Sequence, residues 1–124
     1  MFAFIVSGIA ATQPPEDEEH YTNLKVLPKN TRSEVMERIM YAMNRQLGVK
    51  CLYCHVPKKN VFPKRMDFAS DEKPEKKIAR EMLKMAIKIN KKYFGLESKQ
   101  QAIDKPKIWC RTCHRGYPIP PGIK

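Results

Sequence analysis

The sequence predicts a mainly α protein built from one unit used twice, an amphipathic helix followed by a C-x-x-C-H motif. Three observations carry this. Cys51-Leu52-Tyr53-Cys54-His55 returns near the other end as Cys110-Arg111-Thr112-Cys113-His114. Apolar residues upstream of each motif recur at the spacing of one helix face. No βαβ pattern is visible. The connection from helix to motif is short in the first copy and long in the second, so the repeat is one of architecture rather than of close sequence.

In chain order, residues 1–12 open with MFAFIVSGIAA, an apolar run ending in small residues. They read as the remnant of a signal peptide or an apolar N-terminal segment, too short to span a bilayer. Residues 13–30 form an extended lead-in, proline-rich and then acidic (QPPEDEEH). Residues 21–28 within it alternate in part and are expected to lie strand-like. The folded domain is expected over 31–124. Thr31 or Ser33 is suited to cap the first helix, with Glu34 in its first turn. Met36, Ile39, Met40, Met43 and Leu47 then share a face, and Gly48 is suited to end the helix. A turn-rich basic loop follows His55. Ser70 or Asp71 can cap the second helix, with Pro74 tolerated in its first turn. Ile78, Met82, Met85 and Ile89 form one face, widened by Ala79, Leu83 and Ala86, with lysines and arginine on the outside. Gly95 ends it. Residues 96–107 read as a polar connection, and residues 117–122 as a rigid extended tail.

The motif spacing has a chemical reason. Two thiols three positions apart on one turn can each form a thioether to one of the two vinyl groups of a haem. The next residue, a histidine, then lies under the ring to bind the iron. The chain has four cysteines, and the two motifs use all of them. Two covalent haem c groups are therefore expected, on Cys51, Cys54 and His55, and on Cys110, Cys113 and His114. A structural zinc site is the competing reading. Paired zinc motifs lie about 15–20 residues apart, far closer than these, and zinc leaves both trailing histidines unexplained. A thioredoxin-like redox pair needs the missing βαβ context. Three methionines face inward on the first helix, and a thioether is a common sixth iron ligand. The reach from the first motif favours Met40 over Met36 and Met43. On the second helix the residues alone leave Met82 and Met85 open. His20, the histidine outside the motifs, reads as a surface residue of the acidic lead-in.

The chain of 124 residues carries a net charge of +11. This suits docking onto an acidic redox partner or an anionic membrane surface. No nucleic-acid fold motif accompanies the charge.

Residues 40–55 (MYAMNRQLGVKCLYCH), 67–90 (DFASDEKPEKKIAREMLKMAIKIN) and 110–118 (CRTCHRGYP) carry a resemblance. The chain resembles the cytochrome c subunit of photosynthetic reaction centres and its small dihaem relatives. The resemblance implies a helical fold packed around haems, each held by a CxxCH histidine and a methionine of the preceding helix. By position, Met40 would serve the haem iron of the first motif together with His55, and Met85 that of the second together with His114. The family subunit has four motifs and this chain two, so the chain looks like half of it. All four cysteines are used, leaving none for the lipid anchor that many members carry. Docking to a reaction centre is not implied. The expected product is an exported, periplasmic dihaem c-type cytochrome that transfers electrons between redox proteins, compatible with a subunit role in a membrane complex. It is expected not to be an enzyme. A haem peroxidase would need an open iron position and a distal acid or base, and the methionines on both helices argue against it.

Overall fold

A computed structural model describes residues 21–123. Residues 1–12 and the lead-in through His20 lie outside them. Among the described residues four α-helices carry the fold: α1 (Ser33–Leu47), α2 (Pro74–Phe94), α3 (Lys99–Asp104) and α4 (Cys110–His114). Between α1 and α2 lie a 3₁₀ turn (Cys51–Tyr53) and a minimal antiparallel pair, β1 (Val56–Pro57) with β2 (Met66–Asp67), in the register Val56 to Asp67.

α1 buries Met36 and Ile39 and half-buries Met40 and Met43 against the same cluster. It ends where expected. Gly48 is left-handed at φ 65°, and its N–H donates to the Asn44 carbonyl. The start differs from expectation. Arg32 is the N-cap and no side chain caps the helix, because the Thr31 hydroxyl donates instead to the Pro28 carbonyl at 2.6 Å. Residues 21–28 form turns and bends rather than a strand, and they insert Val26 and Leu27 into the core.

α2 begins at Pro74, after Lys73, rather than at a Ser70 or Asp71 cap. Its inward face is also rotated from the expected one. Leu83, Ala86, Ile87 and Asn90 are buried, whereas Ile78, Met82 and Met85 are 58, 40 and 47% exposed. The lysines are not all outside, since Lys76 is only 9% exposed. Residues 96–107 are not merely a connection. Ser98 and Gln101 form a capping box that starts α3, which buries Ala102 and Ile103 in the same core as Leu83 and Ile87. The tail after α4 bends and turns rather than running extended; the Ile123 N–H returns to the Pro120 carbonyl at 3.2 Å.

Asp71 does not cap α2 because it is taken up by cations. Its carboxylate meets Lys25 at 2.9 Å, Arg80 at 2.7 Å and Lys76 at 3.3 Å, and Asn23 donates to it at 3.0 Å. Hydrogen bonds from Lys25, then Asn23, and further ones from Arg80 and Lys76, hold its carboxyl far below the usual carboxylate range. A depressed folded value means that the stabilisation is fully present above about pH 4, the ordinary aspartate range. It is lost as pH falls from there toward the folded value. Asp71→Asn should lower the melting temperature at neutral pH, and its difference from wild type should shrink as pH drops below about 4. Melting curves across that range check this; a difference independent of pH would contradict it.

Candidate haem-binding site

The first motif is delivered by the end of α1. After Gly48 the chain turns at once, and the Asn44 amide reaches the Cys51 sulfur at 3.6 Å. The N–H groups of Cys54 and His55 both donate to the Cys51 carbonyl, at 3.2 and 2.9 Å, so Cys51, Cys54 and His55 are wound on one turn. The β1–β2 pair then brings the next segment back, and the Phe68 ring meets the His55 imidazole edge-on, 5.2 Å between centroids. Nδ1 of His55 is buried. Burial first, then the nearby charges of Lys76 and Arg80, lower its pKa. A hydrogen bond between the imidazole and the Phe68 backbone, and then the Asp67 charge, act in the other direction.

The second motif is α4 itself. The Trp109 N–H donates to the Thr112 hydroxyl at 3.1 Å, and Arg115, left-handed at φ 53°, closes the helix. His114 Nδ1 lies 2.9 Å from the Tyr117 carbonyl. A carbonyl can only accept, so Nδ1 carries the proton and Nε2 keeps its lone pair. That is the orientation a metal-binding histidine needs.

Two contacts gather these parts. α4 packs on both α1 and α2. Gln46, near the end of α1, accepts the Arg111 N–H on its side chain at 3.1 Å and the Gly116 N–H on its backbone carbonyl at 3.1 Å. It thus satisfies a first-turn donor of α4 and the residue beyond its last turn. Asn90, fully buried, binds the bent segment that leads into α4. Its amide donates to the Ala86 and Ile108 carbonyls at 2.9 and 2.7 Å, and its Oδ1 accepts the N–H of Lys107 and of Ile108 at 2.7 and 3.0 Å. The end of one unit therefore abuts the motif of the other.

These residues fit covalent haem. All four thiols are free. Burial, helped by the Glu75 charge, pushes the Cys54 thiol up, and burial likewise raises Cys110. Ile78, Met82 and Met85 leave an apolar stripe on the outer face of α2, at the i, i+4, i+7 spacing that a flat apolar body can cover. Met40 is half-buried on α1. Among the described residues no group of three or more His, Cys, Asp or Glu could hold a metal ion, so the two motifs do not converge into one zinc site.

The family model described as the photosynthetic reaction centre cytochrome C subunit matches residues 5–124. The chain belongs to that family. It is 28% identical over 121 residues to the photosynthetic reaction center cytochrome c subunit of Rubrivivax gelatinosus, an alignment covering 96% of this chain and 29% of that protein. It is 30% identical over 96 residues to cytochrome c-554 of Chloroflexus aurantiacus, covering 77% of this chain and 20% of that protein. The chain thus spans less than a third of either relative. Membership in this cytochrome family implies covalent haem c and electron transport.

Several residues that shape this cytochrome site escape a sequence reading. Asn90 and Lys76 sit on the apolar side of α2, where polarity looks like a lapse in the pattern. A polar residue at core spacing is itself the signal, because it persists only with partners. The roles of Gln46 and of the Tyr117 carbonyl depend on tertiary contacts, and nothing local marks them.

Proposed function

We propose that the chain carries electrons through two covalently bound haems, one on each CxxCH motif, between redox proteins outside the cytoplasm. The observation that carries this reading is the pairing of two complete motifs, each ending in a histidine, at the junction of α1, α2 and α4. Bound haem supplies one-electron chemistry, cycling between ferrous and ferric iron. The protein's own residues hold and tune it. Cys51 and Cys54, and Cys110 and Cys113, fasten each ring edge. His55 and His114 would each offer an imidazole nitrogen to an iron, the latter aimed by the Tyr117 carbonyl. Met40 and Met85 would each offer a thioether to an iron, while Met36 and Met43 pack in the core and Met82 stays on the exposed face of α2. A thioether held on each iron would leave no open position for peroxide, which disfavours the peroxidase reading. Separate, complete motifs likewise favour haem over zinc.

The partner face is basic. Lys84, Lys88, Lys91 and Lys92 of α2, with Lys25 and Lys99, line a groove floored by Val26 and Ile87. It supports docking to an acidic redox protein, with the salt sensitivity such steering brings. Among the described residues no helix is long and apolar enough to cross a membrane.

Stepwise reduction followed at the visible α-band should take two electrons per chain. Met40→Ala and Met85→Ala should each lower one of the two steps, since thioether ligation favours ferrous iron. Each should also remove about half of the weak sulfur-to-iron band at the red edge of the visible, in keeping with one methionine per iron. Met82→Leu and Met43→Leu, close to volume-conserving, should leave both signals intact. If Met82→Leu abolished a band that Met85→Ala spared, Met85 would not be the ligand.

A further inference from the structure

The loop between β1 and β2 has no role in the haem site described above. It reads Lys58-Lys59-Asn60-Val61-Phe62-Pro63-Lys64-Arg65, with four cations, no acidic residue and an apolar centre. Phe62 is 97% exposed, more than any other large apolar side chain among the described residues, and Val61 beside it is 41% exposed. A ring left almost wholly in water forgoes the stabilisation of burial. The tip stands on a fixed base. The Lys58 N–H donates to the Arg65 carbonyl at 2.8 Å, adding a rung beyond the pair of Pro57 with Met66. Asn60, left-handed at φ 57°, turns the chain just before Val61. Below the strands the Asp67 carboxylate accepts the N–H groups of Ala69 and Ser70 at 3.1 and 2.9 Å. Residues 57–65 are all exposed, so the loop protrudes from this base. Its cations sit at the two ends and its apolar residues between them. Lys59 meets Glu72 at 3.4 Å in an exposed pair, whereas Lys58, Lys64 and Arg65 have no carboxylate partner among the described residues.

The geometry points to this loop as a wedge that docks the protein reversibly on an anionic lipid surface. Val61, Phe62 and Pro63 enter the interfacial layer, and the cations behind them meet the lipid phosphates. An acidic protein carries the same charge, and shape decides between the two. A stable protein interface takes about 800 Å² from each partner in a complementary patch. Three residues on a protruding turn offer a point instead, which a fluid headgroup layer can close around. Val56 follows His55 directly, so docking by this loop brings the first motif to the membrane surface. That consequence rests on the electron-transfer reading above; lipid binding itself does not.

The test is co-sedimentation of the haem-loaded chain with vesicles of phosphatidylcholine, with and without phosphatidylglycerol. Wild type should bind the mixed vesicles and not phosphatidylcholine alone, and added salt should weaken the binding. Phe62→Ser should weaken it roughly tenfold or more with the net charge unchanged. Lys64→Gln combined with Arg65→Gln should weaken it further than Lys88→Gln combined with Lys91→Gln, which removes the same charge from α2. All variants share one N-terminus, so the apolar run in residues 1–12 contributes equally to each. Wild-type binding by Phe62→Ser, equal losses from the two charge pairs, or no binding by wild type would overturn the proposal. Phe62-dependent binding to immobilised polyglutamate with none to the vesicles would overturn it in favour of an acidic protein. Failure of any of these leaves the haem count untouched, since that is read by mass.

Discussion

Gly48→Ala should destabilise the haem-loaded protein by roughly 2–5 kcal/mol and disturb both motifs at once. Two effects combine at this one position. Gly48 is left-handed at φ 65°, a conformation that costs an L-residue about 1–2 kcal/mol. A Cβ there would also stand 2.1 Å from the Gly116 carbonyl oxygen and 3.2 Å from its carbon. That neighbour is backbone, so it can give way only by moving the segment after α4. The same segment carries the Gly116 N–H that Gln46 binds, and it leads to the Tyr117 carbonyl that orients His114. A thermal melt checks the stability, and the α-band spectrum should show altered haem environments in the protein that remains. Gly95 is the control. It is left-handed at φ 67°, but a Cβ there meets nothing within 4 Å, so Gly95→Ala should cost only the backbone term, about 1–2 kcal/mol. Equal losses at the two glycines would mean that the contact between α1 and the residues after α4 contributes nothing.

Asn90→Leu should cost roughly 3–5 kcal/mol although leucine fits the apolar character of the site. The side chain makes four hydrogen bonds, three of them to the backbone of Lys107 and Ile108. Leucine removes every partner while leaving those groups beside the core, and each unsatisfied buried group costs about 1–3 kcal/mol. The damage should be local to function as well, because residues 107–108 lead directly into Cys110. Haem attached at the second motif should be lost or spectrally altered before that at the first. Mass analysis of the purified variant, alongside its melt, separates the two. A variant with wild-type stability and two normal haem environments would show that Asn90 does not position the second motif.

How much of this was legible in the sequence depends on the range of the cause. Gly48 and Gly95 as helix stops, and the helices they end, follow from local rules, and the structure has them where the spacing puts them. The expected inner face of α2 held for Leu83 and Ala86 and failed for Ile78, Met82 and Met85, for a physical reason. Two apolar stripes run along that helix, one through Leu83, Ala86 and Ile87 and one through Ile78, Met82 and Met85, and periodicity cannot tell which one faces the polypeptide core. The caps at Thr31 and Asp71 were misjudged because each side chain had a better bond elsewhere, Thr31 with Pro28 and Asp71 with its cations. α3 was readable in principle from Ser98 and Gln101, but six residues give too little periodicity to stand out. The motifs were fully legible as sequence. Their meeting at Gly48 and Gly116 was not, since it depends on how α4 docks.

Electron transfer as proposed here requires two haems joined covalently to one chain. Intact mass spectrometry under denaturing, acid conditions measures this most directly, because thioether-bound haem stays with the polypeptide when the fold is gone. The expected mass is that of the chain, as processed at its N-terminus, plus two haems. A chain carrying one haem or none, or one that releases its haem into acid–acetone, would contradict it.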